Sequence, residues 1–367
     1  MKILYIGHYR ESSGWSKTAI DNILAMNHVG LDVVCRNVKL TNKDCQIPED
    51  VIKLEKKSLK GVTHCIQNVL PHHIVMSQFF QKNVCYYLAE STFTKKNRWH
   101  SNLNLVDEIW VPNNDLKINT EQFVNKDVKI VPLCCDKSKF KKEYQKIDFG
   151  VDNSAFKFYF IGDLNERKNL DSIIRSYYKT FSNNQNVALF CKVKKFGLSE
   201  KKLQEYCQSL CKTIQKQMRL YKDENKYAPI RFITEDVSEQ FIDQLHYSCD
   251  CFVGASHGEA WSIPAFEAMC FNKTPICSNE GGPKDYITND PSSGRLIGGT
   301  IDICNSTDAA FSHIFTGSEL WFHPSEKEIS EAMMYYYNNR NHKFNHERIE
   351  QFSYEKIGKM IGEMLDV

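Results

Sequence analysis

Residues 250–271 read DCFVGASHGEAWSIPAFEAMCF and pass from an apolar run, through a polar loop, to a second apolar run. Residues 250–256 predict a buried strand, because the run is short, continuous and apolar. Pro264 suits the first turn of a helix, so residues 264–271 predict a helix. A buried strand that leads through a loop into a helix is the repeating unit of parallel α/β sheets. The stretch therefore predicts an α/β fold.

The same alternation runs through the rest of the chain and restarts once. The predicted strands are 2–7, 31–38, 73–78, 83–90, 107–113, 127–133, 156–163, 186–193, 228–236, 250–256 and 273–279. The predicted helices are 18–26, 114–123, 170–181, 200–221, 238–248, 264–271, 328–337 and 353–365. The charged segment 136–148 lies between the two series and predicts a linker. The pattern indicates two doubly wound domains, each with a mostly parallel sheet that is covered on both faces.

Length and composition are those of a folded protein with two domains. The chain has 367 residues, whereas single cores stop growing at about 250–300 residues. Apolar residues make up 42% and charged residues 25%, which argues against disorder. No apolar run approaches the roughly 18 residues of a membrane span, and the start MKILYIGHYRESSG becomes polar too soon for a signal peptide. We therefore expect a cytoplasmic protein.

The charges and the cysteines argue against two kinds of site. Residues 1–150 carry 22 Lys and Arg against 16 Asp and Glu, and the rest carries 25 against 29. Acidic residues interleave with the lysines of the first half, which favours a solvated surface over a nucleic-acid site. The 14 cysteines lack the spacing of a zinc site, so we expect buried thiols. No D-x-D motif presents carboxylates to a diphosphate-bound cation, so we expect no metal.

Ligands of open parallel sheets bind at loops that follow strands, and one such loop contains a carboxylate. Glu259 lies in the loop after strand 250–256, and Glu267 lies in the first turns of the next helix. Eight positions on a helix span about 12 Å, more than the roughly 5–5.5 Å of a retaining glycosidase pair. The two carboxylates are better suited to accept hydrogen bonds from a polyol, one from a sugar ring and one from a ribose.

A second loop, after strand 156–163, contains Arg167 and Lys168 directly before a predicted helix. An arginine can bind two phosphate oxygens, a lysine adds a point charge, and the helix N-terminus adds its dipole. The pair therefore predicts a diphosphate site.

A third loop, residues 7–16, reads GHYRESSGWS and follows the first strand. It is not a G-x-G-x-x-G fingerprint, and the chain has no G-x4-G-K-[ST] motif. These absences argue against a dehydrogenase and against a nucleoside triphosphatase. His8 is a candidate to line a cleft at this loop.

The segment SHGEAWSIPAFEAM (256–269) resembles the E-x7-E signature of glycosyltransferase family 4. GDLNERKNL (162–170) resembles the family's G-x4-R-K-G-L segment. The resemblance implies a GT-B fold, in which two Rossmann-like domains face each other and a C-terminal helix crosses back to the first. It predicts an acceptor-side domain over 1–148, a domain that binds the nucleotide sugar over 149–350, and the returning helix over 351–367.

The resemblance further implies a retaining glycosyltransferase of the hexosyltransferase type, acting in glycan biosynthesis. It would move a sugar from a nucleotide-diphosphate donor, UDP or GDP, to a hydroxyl of a glycan, glycolipid or glycoprotein. Arg167, Lys168 and Glu259 are the expected catalytic residues: the cations stabilise the departing diphosphate, and Glu259 binds a donor-sugar hydroxyl.

The resemblance also assigns residues that bind the two substrates. The expected donor-binding residues are Gly14, Trp15, Gly258, Trp261, Ser262, Glu267, Gly281 and Gly282. Among them, Glu267 is expected to bind the ribose, and the backbone amides around Trp261 and Ser262 to touch the sugar. His8 and Glu90 are expected on the acceptor side.

The chain departs from the family where glycine is usual, at Ser16, Asn169, Ala260 and Ser262. The departures at Ser16, Ala260 and Ser262 leave open a catalytically silent scaffold that binds a sugar nucleotide. A GT-B sugar-nucleotide epimerase is a second alternative, since it would share the ribose and diphosphate contacts. No cofactor or metal is implied, because the nucleotide sugar is a substrate. Nucleic acid is not an expected partner, and a peripheral membrane contact stays open.

Overall fold

The computed structural model describes residues 1–40, 45–91, 98–288, 290–304, 306, 315, 317–340 and 347–366 of the chain. These residues form two compact units. Unit 1 comprises Met1–Lys141, His313–Glu319 and Glu347–Val367, and unit 2 comprises Lys142–Ser312 and Leu320–His346. Within the described ranges, no helix is both long and apolar enough to cross a lipid bilayer.

Strands and helices alternate in both units, which confirms the α/β prediction. The strands are β1 (Lys2–Gly7), β2 (Asp32–Asn37), β3 (His64–Asn68), β4 (Lys82–Tyr86), β5 (Glu108–Val111), β6 (Asp127–Ile130), β7 (Phe156–Asp163), β8 (Val187–Lys194), β9 (Ile230–Ile233), β10 (Cys251–Gly254), β11 (Thr274–Ser278), β12 (Arg295–Ile297), β13 (Gly299–Ile303) and β14 (Leu320–Pro324). The α-helices are α1 (Gly14–His28), α2 (Glu49–Glu55), α3 (Trp99–Leu103), α4 (Asn114–Glu121), α5 (Lys137–Phe140), α6 (Leu170–Thr180), α7 (Glu200–Met218), α8 (Glu239–Ser248), α9 (Ile263–Cys270), α10 (Pro283–Tyr286), α11 (Glu326–Asn338), α12 (Glu347–Glu350) and α13 (Tyr354–Met364).

The sheet of unit 1 has the order β2-β1-β3-β4-β5-β6, and its neighbouring strands are parallel. Successive residues of β1 point to opposite faces, and Ile3, Leu4 and Tyr5 are all buried, so both faces are covered. Helix α13 packs against α1, where a side chain at Gly358 would collide with the backbone of Ala25. The C-terminal helix is therefore part of unit 1.

The main sheet of unit 2 has the order β12-β11-β10-β7-β8-β9 and is also parallel, while β13 and β14 form a separate antiparallel pair. Its core is rich in aromatic side chains, including Phe158 of β7, Tyr177 of α6 and Tyr336 of α11. Burying a side chain such as Phe158 stabilises the fold by about 1.5–3 kcal/mol. This packing fixes β7 and the loop at its carboxyl end.

Each sheet has a point at which its strand order reverses. The chain starts on an interior strand, builds the sheet to one side, and then continues on the other side of the first strand. The switch point lies between β1 and β3 in unit 1 and between β7 and β10 in unit 2. Loops at the carboxyl ends of these strands diverge, which leaves a crevice for a ligand.

The prediction of a strand at residues 73–78 is wrong. A 3-10 helix, Pro71–His73, leads there into a loop whose backbone is bound by the side chain of Gln67: the Gln67 amide donates to the Val75 carbonyl, and the Val75 amide donates to Gln67 Oε1. The strand is β3, which was not predicted because its sequence, HCIQN, contains polar residues. Gln67 and Asn68 are buried; Val75 pairs with both ends of the Gln67 amide, and Asn68 Nδ2 donates to the Tyr86 carbonyl at 2.9 Å.

The division between the units lies at Lys141, before the predicted boundary at residue 148. The Tyr144 ring contacts the rings of Tyr247 and Phe271, and the Ile147 amide donates to Ser248 Oγ at 2.9 Å. The second half of the predicted linker is therefore packed onto unit 2. The charged composition of the segment did not indicate this packing, because the packing rests on one aromatic ring, that of Tyr144, and on the backbone amide of Ile147.

The cysteines are core residues, as expected. All 14 are free, and all but Cys45 and Cys211 are buried. Burial raises the pKa of Cys65 to about 12, so that thiol stays protonated at neutral pH.

Candidate functional site

The carboxyl ends of β7, β10 and β11 lie side by side in unit 2, and each strand continues into a loop predicted to bind a ligand. We name these the cation loop (residues 164–169), the glutamate loop (255–262) and the glycine loop (279–282). The first two flank the switch point of the sheet, where open α/β sheets bind ligands. The topology thus brings together motifs that are about 90 residues apart in the sequence.

The cation loop owes its shape to two asparagines. The side chain of Asn165 accepts a hydrogen bond from the Lys168 amide and so caps a 3-10 turn, Glu166–Lys168. Asn169 then adopts a left-handed conformation, with φ 50° and ψ 45°, before α6 begins. Asparagine is one of the few non-glycine residues that tolerate this region, which explains how it occupies a position where the resemblance leads us to expect glycine. Its Nδ2 donates to the Ala255 carbonyl at 3.0 Å and joins the cation loop to the glutamate loop.

The two cations converge on Glu259. Lys168 Nζ donates to Glu259 Oε1 at 2.6 Å, and Arg167 Nη1 lies 3.5 Å from Glu259 Oε2. Arg167 Nη1 also donates to the Gly258 carbonyl at 2.7 Å. Ser256 Oγ donates to Glu259 Oε1 at 2.6 Å, so one carboxylate oxygen accepts from both a lysine and a serine. The structure therefore places the three predicted catalytic side chains in one cluster.

This cluster is largely removed from water. The side chains of Arg167, Lys168 and Glu259 are 11%, 14% and 10% exposed. Burial acts to raise the pKa of Glu259, but the charges of Lys168 and Arg167 and the hydrogen bonds from Lys168 and Ser256 outweigh it and hold that pKa below its ordinary value. Glu259 is thus an anion beside two cations, and the cluster carries a net positive charge.

His257 is a further residue of the glutamate loop, and no pattern in the sequence indicated its role. Its amide donates to the Arg167 carbonyl at 2.8 Å. Its ring stacks on Trp321 of β14 at 5.2 Å between centroids, and its Nδ1 donates to the Phe322 carbonyl at 2.8 Å. Burial lowers the pKa of His257. The histidine therefore acts as a neutral anchor between the site and β14, which lies more than 60 residues later in the chain.

The glycine loop is required by close packing. Gly281 has φ +64°, and a Cβ there would overlap the Glu259 carbonyl oxygen. A Cβ at Gly282 would overlap the Cα of Trp261. The Gly282 amide donates to the Glu259 carbonyl at 3.2 Å. The two predicted donor-site glycines thus support the backbone of the glutamate loop.

Trp261 and Ser262 end the glutamate loop. Trp261 is 2% exposed and packs on Phe266 and Tyr286, and Tyr286 Oη donates to the Trp261 carbonyl at 2.8 Å. Ser262 precedes α9 with φ 59° and ψ 68°. Glycine, which the resemblance leads us to expect there, suits this left-handed conformation, and serine adopts it at a cost of about 1–2 kcal/mol. The Trp261 indole is buried in this packing, so the predicted contact of Trp261 with a sugar would be made by its backbone amide and not by its ring.

Glu267 occupies a different environment from Glu259. It lies on α9, is 6% exposed, and its Oε2 is 3.6 Å from His246 Nε2. His246 Nδ1 is 2.8 Å from Tyr159 Oη, and its ring stacks on Phe271. The sequence did not indicate the His246 and Tyr159 contacts, because α8 and β7 supply them.

At the switch point of unit 1, the aromatic rings of His8, Trp15 and His73 lie where unit 2 has its cation pair. His8 is fully buried, its Nδ1 donates to the Val38 carbonyl at 2.7 Å, and burial lowers its pKa. Its ring lies 6.2 Å from that of Trp15 and 6.0 Å from that of His73. Gly14 is the first residue of α1. His73 was missed because it was assigned to a strand.

Glu90, the other predicted acceptor-side residue, is half-buried and follows β4. No group of three or more His, Cys, Asp or Glu side chains that could hold a metal ion occurs among the residues for which the structure gives positions.

Comparisons with known proteins extend these observations. Residues 141–310 match the family described as Glycosyl transferases group 1. No curated protein matches the sequence. Sucrose-phosphate synthase from Thermosynechococcus elongatus is similar in structure, with a TM-score of 0.69 and 11% identity over 100% of this chain and 98% of that one.

Two further solved structures share the fold. Anabaena HepE, in complex with UDP and glucose, has a TM-score of 0.61 and 14% identity over 100% of this chain and 99% of its own. The lipopolysaccharide outer core galactosyltransferase WaaB has a TM-score of 0.62 and 13% identity over 100% and 99%. The chain has the GT-B fold, and the family match supports a glycosyltransferase.

Proposed function

We propose that the protein is a retaining glycosyltransferase that moves a hexose from a nucleoside-diphosphate sugar to an acceptor hydroxyl. The observation that carries the proposal is the buried cluster of Arg167, Lys168 and Glu259 at the switch point of unit 2. The cluster falls within the residues that match the glycosyltransferase family. HepE, which is similar in structure, was solved with UDP and with UDP-glucose, and this favours a UDP-type donor over GDP.

In the proposed reaction the bond between the sugar and the diphosphate breaks, and negative charge develops on the departing oxygen. Arg167 offers a planar fork of donors, and Lys168 offers a point charge beside it. A preorganised donor at developing charge contributes about 3–4 kcal/mol, or 10²–10³ in rate, in a site that excludes water. Two such side chains can stabilise the leaving group, so the proposal includes no metal cofactor.

The remaining predicted residues take supporting roles in the proposal. Glu259 accepts a hydrogen bond from a donor-sugar hydroxyl, and Glu267 accepts from the ribose. The other donor-side residues are Gly14, Trp15, Gly258, Trp261, Ser262, Gly281 and Gly282. His8 and Glu90 serve the acceptor, which we propose to be a glycan, glycolipid or glycoprotein. The proposed setting is glycan biosynthesis in the cytoplasm, with peripheral membrane contact where the acceptor is a lipid.

The test begins with calorimetric titration of UDP, GDP and ADP into the wild type and the Arg167→Ala/Lys168→Ala double variant. We expect micromolar binding of one nucleotide and its loss in the variant. Incubation with the matching nucleotide hexose and a panel of glycan acceptors should then release the nucleotide, and NMR of the product should show the donor's anomeric configuration.

Other outcomes would contradict the proposal. Binding without transfer and without slow donor hydrolysis would favour the silent scaffold, which the departures at Ser16, Ala260 and Ser262 had left open. An epimerised donor formed without an acceptor would favour the epimerase. An inverted product would refute retention, and equal nucleotide binding by the double variant would refute the assigned site.

A further inference from the structure

Within the described residues, Glu259 is the one carboxylate that contacts both cations of the site. Lys168 Nζ makes its hydrogen bond to Glu259 Oε1, and Arg167 Nη1 faces Glu259 Oε2. These are the donors that the proposed function assigns to a diphosphate. The carboxylate therefore occupies the place next to both cations that an anionic ligand would take.

Further contacts hold the carboxylate in this position. Ser256 Oγ donates to Glu259 Oε1 at 2.6 Å, and Ser256 is itself fixed by the hydrogen bond from Ser278 Oγ to its carbonyl at 2.6 Å. The backbone of Glu259 is held by the Gly282 amide. The carboxylate thus sits in a built anion site formed by a lysine, an arginine and a serine hydroxyl.

The pairing of Glu259 with the two cations affects both the stability of the chain and the free energy of ligand binding. Two buried cations without a counter-ion are unfavourable, so an internal carboxylate stabilises the ligand-free chain. A diphosphate that binds the same donors must replace that carboxylate. Its binding free energy from these contacts is therefore the difference between the diphosphate–cation and the carboxylate–cation interactions. A ligand with more negative charge replaces it more readily than one with less.

We infer that Glu259 is an internal surrogate for the ligand's diphosphate, and that its displacement makes the site favour ligands with a more negatively charged anionic group. This inference rests on the proposed function in assigning the cations to a diphosphate. The displaced carboxylate keeps its hydrogen bond from Ser256 and is then free to accept one from a hydroxyl of the donor sugar. Glu259 thus determines which anionic groups the site accepts, in addition to its proposed contact with the sugar.

If Glu259 only positioned the two cations for the ligand, its loss would weaken ligand binding. The inference predicts the opposite: loss of the Glu259 charge should tighten the binding of an anionic ligand. Glu259→Gln removes the charge and keeps the size of the side chain. We expect it to tighten the binding of UDP and of inorganic pyrophosphate by roughly tenfold, equivalent to about 1.4 kcal/mol, because the ligand no longer competes with an internal anion. UMP, which carries about one negative charge fewer than UDP, should gain less, and uridine, which has no charge, should bind unchanged. Calorimetric titration of all four probes provides the measurement.

Two control variants separate this effect from others. Glu331→Gln removes a negative charge from the exposed face of α11, where Glu331 pairs with Lys327, and should leave all four affinities unchanged. In the Lys168→Gln background, Glu259→Gln should tighten UDP less than it does in the wild type, because one of the released cations is absent. Equal tightening in both backgrounds would overturn the inference.

Stability gives a second measurement. Glu259→Gln removes the carboxylate charge that Lys168 and Arg167 face, so the melting temperature of the variant should fall, and pyrophosphate should raise that temperature more than it raises the temperature of the wild type. If this variant does not fold, Glu259→Asp, whose carboxylate is one methylene shorter, should show the same changes at smaller size.

The outcomes distinguish this inference from the proposed function. Unchanged or weaker binding of UDP and pyrophosphate by Glu259→Gln, with UDP still bound by the wild type, would overturn the inference and leave the proposed donor intact. Tighter pyrophosphate binding with no nucleotide bound by either protein would support the internal anion and contradict the proposed donor. Absence of binding of every probe to every variant would overturn both.

Discussion

The first loops of the two units each pair an arginine with a glutamate, yet the two pairs have different surroundings. In unit 1, Arg10 Nε donates to Glu55 Oε1 at 3.2 Å, its Nη2 donates to Oε2, and Tyr9 Oη donates to Oε1 at 2.8 Å. In unit 2, Glu259 faces both Arg167 and Lys168.

The difference lies in the contacts of the carboxylate and in exposure. Hydrogen bonding from Arg10 is the largest cause that lowers the pKa of Glu55, the charge of Arg36 adds to it, and the side chains of Arg10 and Glu55 are 25% and 23% exposed. In unit 2 one carboxylate contacts both a lysine and an arginine, and the side chains are about half as exposed. A bidentate pair holds a loop against α2, whereas a more buried carboxylate in contact with two cations marks a candidate anion site. The same topology thus supports a structural contact in one unit and a candidate binding site in the other.

The largest effect that this comparison predicts is on activity. Lys168→Gln removes a charge and keeps a hydrogen-bond donor for Glu259, and we expect kcat to fall by about 10²–10³ because support for the leaving group is lost. Arg10→Gln, the matched change in unit 1, should leave kcat within about twofold and lower the free energy of unfolding by about 1 kcal/mol or less. Initial rates of nucleotide release and urea unfolding check both. A fall in kcat of similar size in the two variants would contradict the assignment of a catalytic role to Lys168 and a structural role to Arg10.

A second prediction concerns the backbone that supports Glu259. Gly281 and Gly150 have nearly the same φ, +64° and +63°, but a Cβ at Gly281 meets the Glu259 carbonyl whereas one at Gly150 meets nothing within 4 Å. Gly150→Ala should lower the free energy of unfolding by about 1 kcal/mol, the effect of the left-handed conformation alone. Gly281→Ala should lower it by about 1–3 kcal/mol more, because the loop must shift. Chemical denaturation measures the difference, and equal losses would mean that the glycine loop is not held by this contact.

The smallest effect concerns the neutral histidines, one at each switch point. Burial lowers the pKa of His8 in unit 1 and of His257 in unit 2. Below the unfolded pKa of about 6.5, the unfolded chain therefore binds protons that the native chain does not, and stability falls as the pH falls. Each histidine contributes a slope of at most about 1.4 kcal/mol per pH unit.

Unfolding free energies measured between pH 8.5 and pH 5 test this point. His8→Gln and His257→Gln should each flatten the profile below pH 6.5, and neither should change its slope above pH 7.5. A profile that stays equally steep in both variants would show that other groups cause the loss of stability.

The sequence by itself determined the α/β class, the two series of strands and helices, and the residues of the cation and glutamate loops. These features depend on local apolar runs and on residues such as Pro264, whose backbone requirement acts over a few positions. It did not predict β3, since Gln67 and Asn68 make a polar strand whose hydrogen bonds come from distant segments.

Only the tertiary structure decided which charges meet. Lys168 and Glu259 are 91 residues apart, and they pair because β7 and β10 are neighbours at the switch point of the sheet. The anchoring of His257 by β14 and the burial of Trp261 likewise depend on packing between segments far apart in the chain. Local sequence can specify a strand, a turn or a charge, but the order of strands in a sheet sets the distances between charges, and those distances determine what the site can bind.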